Sequence, residues 1–353
     1  MANAEIWTNG AGVPGGTFVR RAEWAEASSY DGITVVDSQN LAGDCYIALA
    51  LAAHATERLK LATGVTNPTT RHAAATASAI ASVQVESKGR AVLGIGRGDS
   101  ALAHLGKAPA SVAAFEEYVR RLQGYLRGEE VPFEAGGDVD RLKLANQPVS
   151  SRIAWLRHAA YDKVPVDVTA TGPKVIRIGA LLGDRVTFAV GADPVRLRWG
   201  IETARAERVA AGMAPDMPFG AYVTVVVHED PETARRLGEG GISLFTRFSA
   251  MHGSVVGPVS DESRKVFQAV HDAYDMTRHS RAGSAQASVI PQEFADTFAI
   301  VGPAKHCVER LREIVALGID RLVVVGPSMG ADRAEAERAE RAFVEDVLPA
   351  LRP

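Results

Sequence analysis

Eight short runs of apolar residues recur along the chain, and stretches with helical spacing separate them. The runs cover residues 4–8, 33–36, 61–65, 91–93, 166–170, 186–190, 221–227 and 322–325. Apart from VDVTA at 166–170, they do not alternate regularly between apolar and polar positions, as expected of strands buried on both faces in a parallel sheet. Helical spacing marks residues 18–28, 45–56, 71–87, 112–127, a segment from Pro173, and residues 194–211, 304–317 and 331–348. It is clearest at Phe115, Tyr118, Val119, Leu122 and Leu126, before Gly128 ends the pattern. Eight such units predict an α/β fold, a (β/α)8 TIM barrel forming a single domain over residues 1–353. An open doubly wound sheet would use the same units. The rhythm breaks twice, giving excursions at 129–164 after strand 4 and 231–298 after strand 7. Pro132, Gly136-Gly137 and Pro148 suggest a hairpin in the first. The second is largely helical, with a Gly/Ser-rich stretch at 281–288 expected to be a mobile loop.

Composition narrows the class of function. Hydrophobic residues make up 46% and charged residues 23%, as in ordinary globular proteins. The net charge of −3 and the absence of long runs of one sign argue against nucleic acid or a membrane surface as partner. A small-molecule substrate is expected instead. The two cysteines, Cys45 and Cys307, lie far apart and lack a metal-ligand spacing, so both read as free thiols. The first residues lack the pattern of a secretory signal, and the apolar windows are too short to span a bilayer, so a cytoplasmic location is expected. No His-Glu-x-x-His pair, Gly-x-Ser-x-Gly elbow or phosphate-binding Walker loop occurs, so no metal is expected. An organic cofactor is the natural carrier of any chemistry.

In a parallel barrel, ligands sit where the strands end. The richest strand end is RAVLGIGRGDSALAHLG, residues 90–106. Its apolar run gives way to Gly94, Gly96 and Gly98, which place Arg97, Asp99 and Ser100 close to anything above the strand. Those glycines do not complete a dinucleotide fingerprint: the third comes too early, and three strand–helix units precede it. Other strand ends contribute Thr8-Asn9, Asp37-Ser38-Gln39-Asn40, Thr66-Asn67, Gly191-Ala192, His228 and Gly326. At Thr171-Gly172-Pro173-Lys174, a proline suited to a first helical turn follows a glycine, leaving open backbone N–H groups beside a hydroxyl and an ammonium. Such a helix start suits a phosphate. His54, His72, His271 and His306 fall on predicted helices and read as surface or packing residues. His252 and His279 lie in the second excursion and could belong to a lid, although a solvated loop is expected for both.

From Asp31 to Gly326 the sequence resembles the luciferase-like superfamily of flavin- and deazaflavin-dependent oxidoreductases. It is most similar to the branch of coenzyme F420-dependent methylenetetrahydromethanopterin reductases. The matching segments are Val36-Asp37-Ser38, LATGVTNPTTRH (61–72), GRAVLGIGRGDSALAHLG (89–106), TATGPK (169–174) and the closing run 301–325. The resemblance implies a cis bond between Gly64 and Val65 packed against the cofactor ring, with Thr66 and Asn67 at the ring edge. Asp99 matches an acidic proton donor or electrostatic partner near the deazaflavin. Ala170, Thr171, Gly172, Pro173 and Lys174 match the start of the helix that receives the cofactor phosphate. Asp37, Arg97 and Ser100 complete the implied cofactor shell, and Asp99 and Ser38 are the candidate catalytic residues. Several relatives carry histidine where this chain has Asp37-Ser38, which weighs against sugar-phosphate dehydrogenase chemistry. The implied activity is hydride transfer between coenzyme F420 and a small organic substrate. The alternative is a two-component FMN monooxygenase fed by a separate cofactor reductase, and the third possibility is a flavin-binding barrel without catalysis. The resemblance also implies a homodimer.

Overall fold

A computed structural model describes residues 4–134, 137–158 and 160–352. Eight parallel strands form the wall: β1 Glu5–Ala11, β2 Gly32–Val36, β3 Lys60–Thr63, β4 Ala91–Ile95, β5 Val166–Ala170, β6 Arg185–Phe188, β7 Phe219–Val227 and β8 Arg321–Val325. Neighbours pair in chain order, β8 returns to β1, and β8 also pairs with β7, so the cylinder is closed and the open sheet is excluded. Around it run α1 Thr17–Ala27, α2 Cys45–Ala55, α3 Ala73–Glu86, α4 Val112–Leu126, α5 Pro173–Leu182 and α6 Pro194–Ala210. The ring continues with α7 Pro231–Ser249, against which α8 Asp261–Asp272 packs, and with α9 Ala304–Ala316 and α10 Arg333–Ala342. The main core lies between strands and helices, where Ile33, Leu93, Val168, Phe188 and Leu322 are fully buried.

Several predicted boundaries shift for identifiable reasons. β1 runs through Asn9-Gly10 to Ala11 because its ladder with β2 continues to the pair Ala11–Val36. β4 does not stop at Leu93, since Gly94 and Ile95 pair with Asp167 and Val168 of β5. β3 ends earlier than predicted, at Thr63. A short strand not predicted from the sequence, Ile300–Gly302, lies alongside β7 outside the cylinder.

Both excursions occur where expected. The first contains a small antiparallel pair, Val131–Pro132 with Ser150–Ser151, matching the hairpin expectation for its described residues. The second builds its own apolar cluster, in which Phe245, Phe267, Phe294 and Phe298 pack over Ala189 and Val226 of the barrel. Its Gly/Ser-rich stretch is pinned rather than free-standing. The Gly283 N–H donates to Glu239, Arg281 pairs with Met329 on the loop after β8, and Gln286 is fully buried.

Candidate active site at the barrel mouth

The mouth is organised around the kink that follows β3. Its first peptide bond, Gly64–Val65, is cis, as the resemblance implied. The Gly64 N–H donates to the Val35 carbonyl at 2.7 Å, and Thr66 rejoins β4 through Thr66 N–H to Gly94 O and Gly96 N–H to Thr66 O, both 3.0 Å. Glycines are needed here for space. A Cβ on Gly94 would stand 2.2 Å from the Thr63 carbonyl oxygen, and one on Gly64 would stand 2.6 Å from Thr34 Oγ1. A Cβ on Gly96 would meet the Val65 side chain at 3.3 Å. The bare backbone of β4 therefore lies directly against Val65. Gly64 and Val65 remain half-buried, whereas Thr66 and Asn67 after them are fully buried. The result is a half-exposed turn at the end of β3 with the glycine backbone of β4 behind it.

Behind the kink is a polar brace. Asp37, buried at the end of β2, accepts hydrogen bonds from Thr66 Oγ1 and Arg71 Nη1 at 2.7 Å and from Gln39 Nε2 at 2.8 Å. Arg71 also bonds Asp44 at 2.7 Å. Asn67 Oδ1 accepts the N–H groups of Thr69 and Thr70, fixing the turn that leads toward α3, while Asn67 Nδ2 is buried without a protein partner. The side chains of Asp37 and Thr66 thus bond each other under the kink instead of lining its open side. Ser38 is half-buried, and its carbonyl accepts the N–H groups of Leu41 and Ala42. Cys45 and Cys307 are both free and buried, and burial raises both thiols, so neither is poised as a nucleophile.

The end of β4 is covered from the second excursion. Arg247 of α7 grips both carboxylate oxygens of Asp99, with Nη2 to Oδ1 at 2.9 Å and Nη1 on Oδ2. The Arg247 guanidinium lies 4.7 Å from the centre of the Tyr274 ring, and the Tyr274 hydroxyl and His279 Nδ1 are 2.9 Å apart. Burial pushes His279 down to about 4, with Arg247 and His104 adding to the effect, so the imidazole is neutral at pH 7. His279 is thus not in the solvated loop expected from the sequence. Arg97 turns away from the strand end and donates to the Ala110 carbonyl at 2.6 Å. Ser100 begins a one-turn helix, Ser100–Ala103, and is half-buried.

Across the mouth, Ala170 is buried at the end of β5, and Thr171 and Gly172 are half-buried. Gly172 is the N-cap of α5 with Pro173 in the first turn, and no side chain caps this helix start. Pro173 and Lys174 are exposed. An uncapped N-terminus beside a threonine and a lysine retains the capacity for an anion inferred from the sequence. His228 is occupied elsewhere, with Nε2 3.2 Å from Glu335 of α10. Among the described residues, no group of three His, Cys, Asp or Glu side chains could hold a metal ion, and no helix is long and apolar enough to cross a membrane.

The assembly is a (β/α)8 barrel with a half-exposed, glycine-backed kink and an uncapped helix start at its mouth. The profile of the luciferase-like monooxygenase family matches residues 4–321, and the chain belongs to that family. Among curated proteins it is 26% identical over 325 residues to 5,10-methylenetetrahydromethanopterin reductase of Methanolobus tindarius, covering 89% of this chain and 91% of the relative. It is also 26% identical over 347 residues to the F420-dependent glucose-6-phosphate dehydrogenase of Beutenbergia cavernae, covering 93% and 91%. The solved structure of the coenzyme F420-dependent tetrahydromethanopterin reductase from Methanopyrus kandleri superposes with a TM-score of 0.73 at 20% identity, covering 99% of this chain and all of the other. An FMN complex of the oxygenating constituent of 3,6-diketocamphane monooxygenase from Pseudomonas putida superposes at 0.63 and 17% identity, covering 99% and 98%. These likenesses define a luciferase-like oxidoreductase fold shared by F420 and FMN enzymes.

The sequence did not point to Arg247, Tyr274 or Arg71 as parts of this mouth, and it offered His279 only as a lid residue set below a solvated loop. Arg71 stood within the matched run 61–72 and was the one with a visible signal.

Proposed function

We propose that this chain is a coenzyme F420-dependent oxidoreductase that transfers a hydride between the deazaflavin and a small organic substrate. The observation that carries the proposal is the half-exposed Gly64–Val65 surface, backed by the bare β4 glycines and facing the same mouth as the uncapped start of α5. Val65 offers a planar ring an apolar face, and a Cβ at Gly64 or Gly94 would clash with Thr34 or the Thr63 carbonyl and displace the kink. When bound, the deazaflavin supplies the hydride-carrying chemistry. Val65 supports one ring face, while Asp37, Thr66 and Asn67 keep the kink rigid. Thr171, the open N–H groups after Gly172, and Lys174 hold phosphate, with Ala170 and Pro173 setting the direction of the helix start. Arg97 and Ser100 frame the β4 side. Asp99 and Ser38 are the candidate groups for holding or moving a proton, with Arg247 holding the Asp99 carboxylate in place. The relatives' names, F420-dependent at both the reductase and the dehydrogenase end, support this choice of cofactor.

The family description and the FMN-bound neighbour favour one second reading, an FMN monooxygenase supplied by a partner reductase. Titration with coenzyme F420 and with FMN, followed by turnover assays, separates the two. Tight FMN binding with oxygen uptake and no F420 affinity would replace the first proposal with the second. Binding without turnover across alcohols, carbonyls and activated alkenes would leave a non-catalytic binder. We also infer a homodimer, supported by Ile47 and Leu51, which lie one turn apart on α2 and are 64% and 55% exposed. Sedimentation should show a dimer for the wild type and a monomer for Ile47→Glu.

A further inference from the structure

A second cavity lies away from the mouth, at the end of the barrel where the strands begin. It has a volume of about 430 Å³ and sits between the C-terminal ends of α3 and α4 and the first excursion. Its position is fixed by Gln84, whose side chain accepts the Ala91 N–H at the start of β4 and donates to the Asp162 carbonyl at 3.0 Å. The apolar part of the wall comes from Ala81, Val85, Leu126 and Ile153, with Leu156 and Val164 completing it. Val85 is 36% exposed although it sits within a cluster of aliphatic side chains.

The polar part of the wall is strongly one-sided. Four cationic side chains line the cavity, Arg127, Arg152, Arg157 and Lys163, against the single carboxylate of Asp162. Three of the cations have acidic neighbours outside the lining: Arg127 pairs with Glu129, Arg152 with Glu130 at 3.4 Å, and Lys163 with Asp184 at 2.6 Å. Arg157 has none among the described residues; its Nε donates to His158 Nε2 at 3.0 Å, leaving both terminal nitrogens with donors to spare. Tyr161 places an aromatic ring at the same rim. The volume is that of a small-molecule site. An apolar wall under a cationic rim selects a molecule with one anionic end and an apolar body, because the guanidinium presents two parallel donors to an oxyanion and the aliphatic wall excludes water from the remainder.

We propose that this cavity is a second ligand site, separate from the cofactor mouth, for an amphipathic anion: an aromatic or medium-chain aliphatic carboxylate or phosphate. Arg157 binds the anionic end, and Val85, Leu126 and Ile153 take the apolar body. The site does not depend on the cofactor assigned to the mouth.

The test uses the full-length protein and anilinonaphthalene sulfonate as probe, with decanoate and decyl phosphate as competitors. Saturable binding of one probe per chain is expected, displaced by decanoate or decyl phosphate and unaffected by FMN or coenzyme F420. Which competitor acts more strongly distinguishes a carboxylate from a phosphate ligand. Arg157→Gln should weaken binding by about tenfold. Val85→Glu, at a surface-accessible position, should abolish it while leaving the thermal melt unchanged. Displacement by FMN or F420 would place the probe at the mouth and overturn the proposal. Unchanged affinity in both variants would overturn it too, as would wild-type binding that appears only when the dimer is dissociated, which would mean that a second copy covers the cavity.

Discussion

The two ends of this barrel handle charge in opposite ways. At the end where strands begin, the ionic groups form a closed set within the cylinder. Glu5 takes Lys60 and the Nε of Arg321, Arg321 also reaches Asp167 at 3.3 Å, and its guanidinium lies 4.1 Å over the Trp7 ring. Arg185 pairs with Asp320 beside them. All these partners sit on barrel strands or immediately before one. At the mouth, the ion pair between Asp99 and Arg247 joins a strand end to an excursion helix 148 residues away in sequence. Gly64, Val65, Thr171 and Gly172 stay half-buried, and no side chain caps the start of α5. Within the cylinder, the difference separates charges that hold the strands together from a mouth arranged to receive something, in line with the general division of labour between the faces of such barrels. The cavity beneath α3 and α4 lies outside that inner set.

The largest test of this contrast is Arg321→Met. Removing the guanidinium leaves the buried Asp167 without its cation and Glu5 with Lys60 alone, and the expected loss is about 3 kcal/mol by urea denaturation. The remaining folded protein should bind cofactor normally; a matching loss of affinity would erase the distinction between the ends. Next in size is Arg247→Met, which should cost about 1.5–3 kcal/mol as charge-assisted hydrogen bonds are lost. It should also lower turnover, because Asp99 loses its anchor. A change in stability alone would make the clasp purely structural.

Two pH effects follow, with different windows. Glu5 is held down to about 2 by Arg321 and Lys60, which overcome the burial penalty, so its folded value lies below its ordinary value near 4.5. Its contribution is complete above 4.5 and is lost as pH falls toward 2, so Glu5→Gln should flatten the acid limb of the stability curve there. His279 is lowered from 6.5 to about 4. The unfolded chain therefore binds more protons in that interval, and stability should fall as pH drops from 6.5 to 4. His279→Gln should remove that slope, read from urea midpoints at stepped pH. The smallest expected effect is that of Lys174→Ala. Its exposed ammonium should be worth under about 1 kcal/mol, seen as a few-fold weaker cofactor affinity.

The barrel was legible because most of its strands carry a short apolar run and several of its outer helices one apolar face. Strand ends were less so. Gly94 looks like a terminator in one dimension, yet it lies inside β4 because a neighbouring carbonyl leaves no room for a side chain. Asp99 and the start of α5 could be singled out from local chemistry, since a glycine-dense turn and a Gly-Pro helix start are readable within a few residues. Arg247, Tyr274 and His279 could not. Each occurs in an ordinary helical or loop context, and only the three-dimensional return of the second excursion brings them over β4. The burial of Asp37 and Thr66 was hidden for the same reason: Arg71 sets it from the next loop.

The short strand Ile300–Gly302 gives that excursion an unusual pedigree. The chain leaves the cylinder at the end of β7 and comes back parallel to the same strand, with Ile300 beside Val225 and Gly302 beside Val227. Departure and return are thus stapled to one edge, and the ladder that closes the ring owes nothing to the intervening residues. Such an arrangement behaves as a cassette: its contents can be lengthened, traded or redesigned to suit a new molecule while the frame that carries it keeps its register.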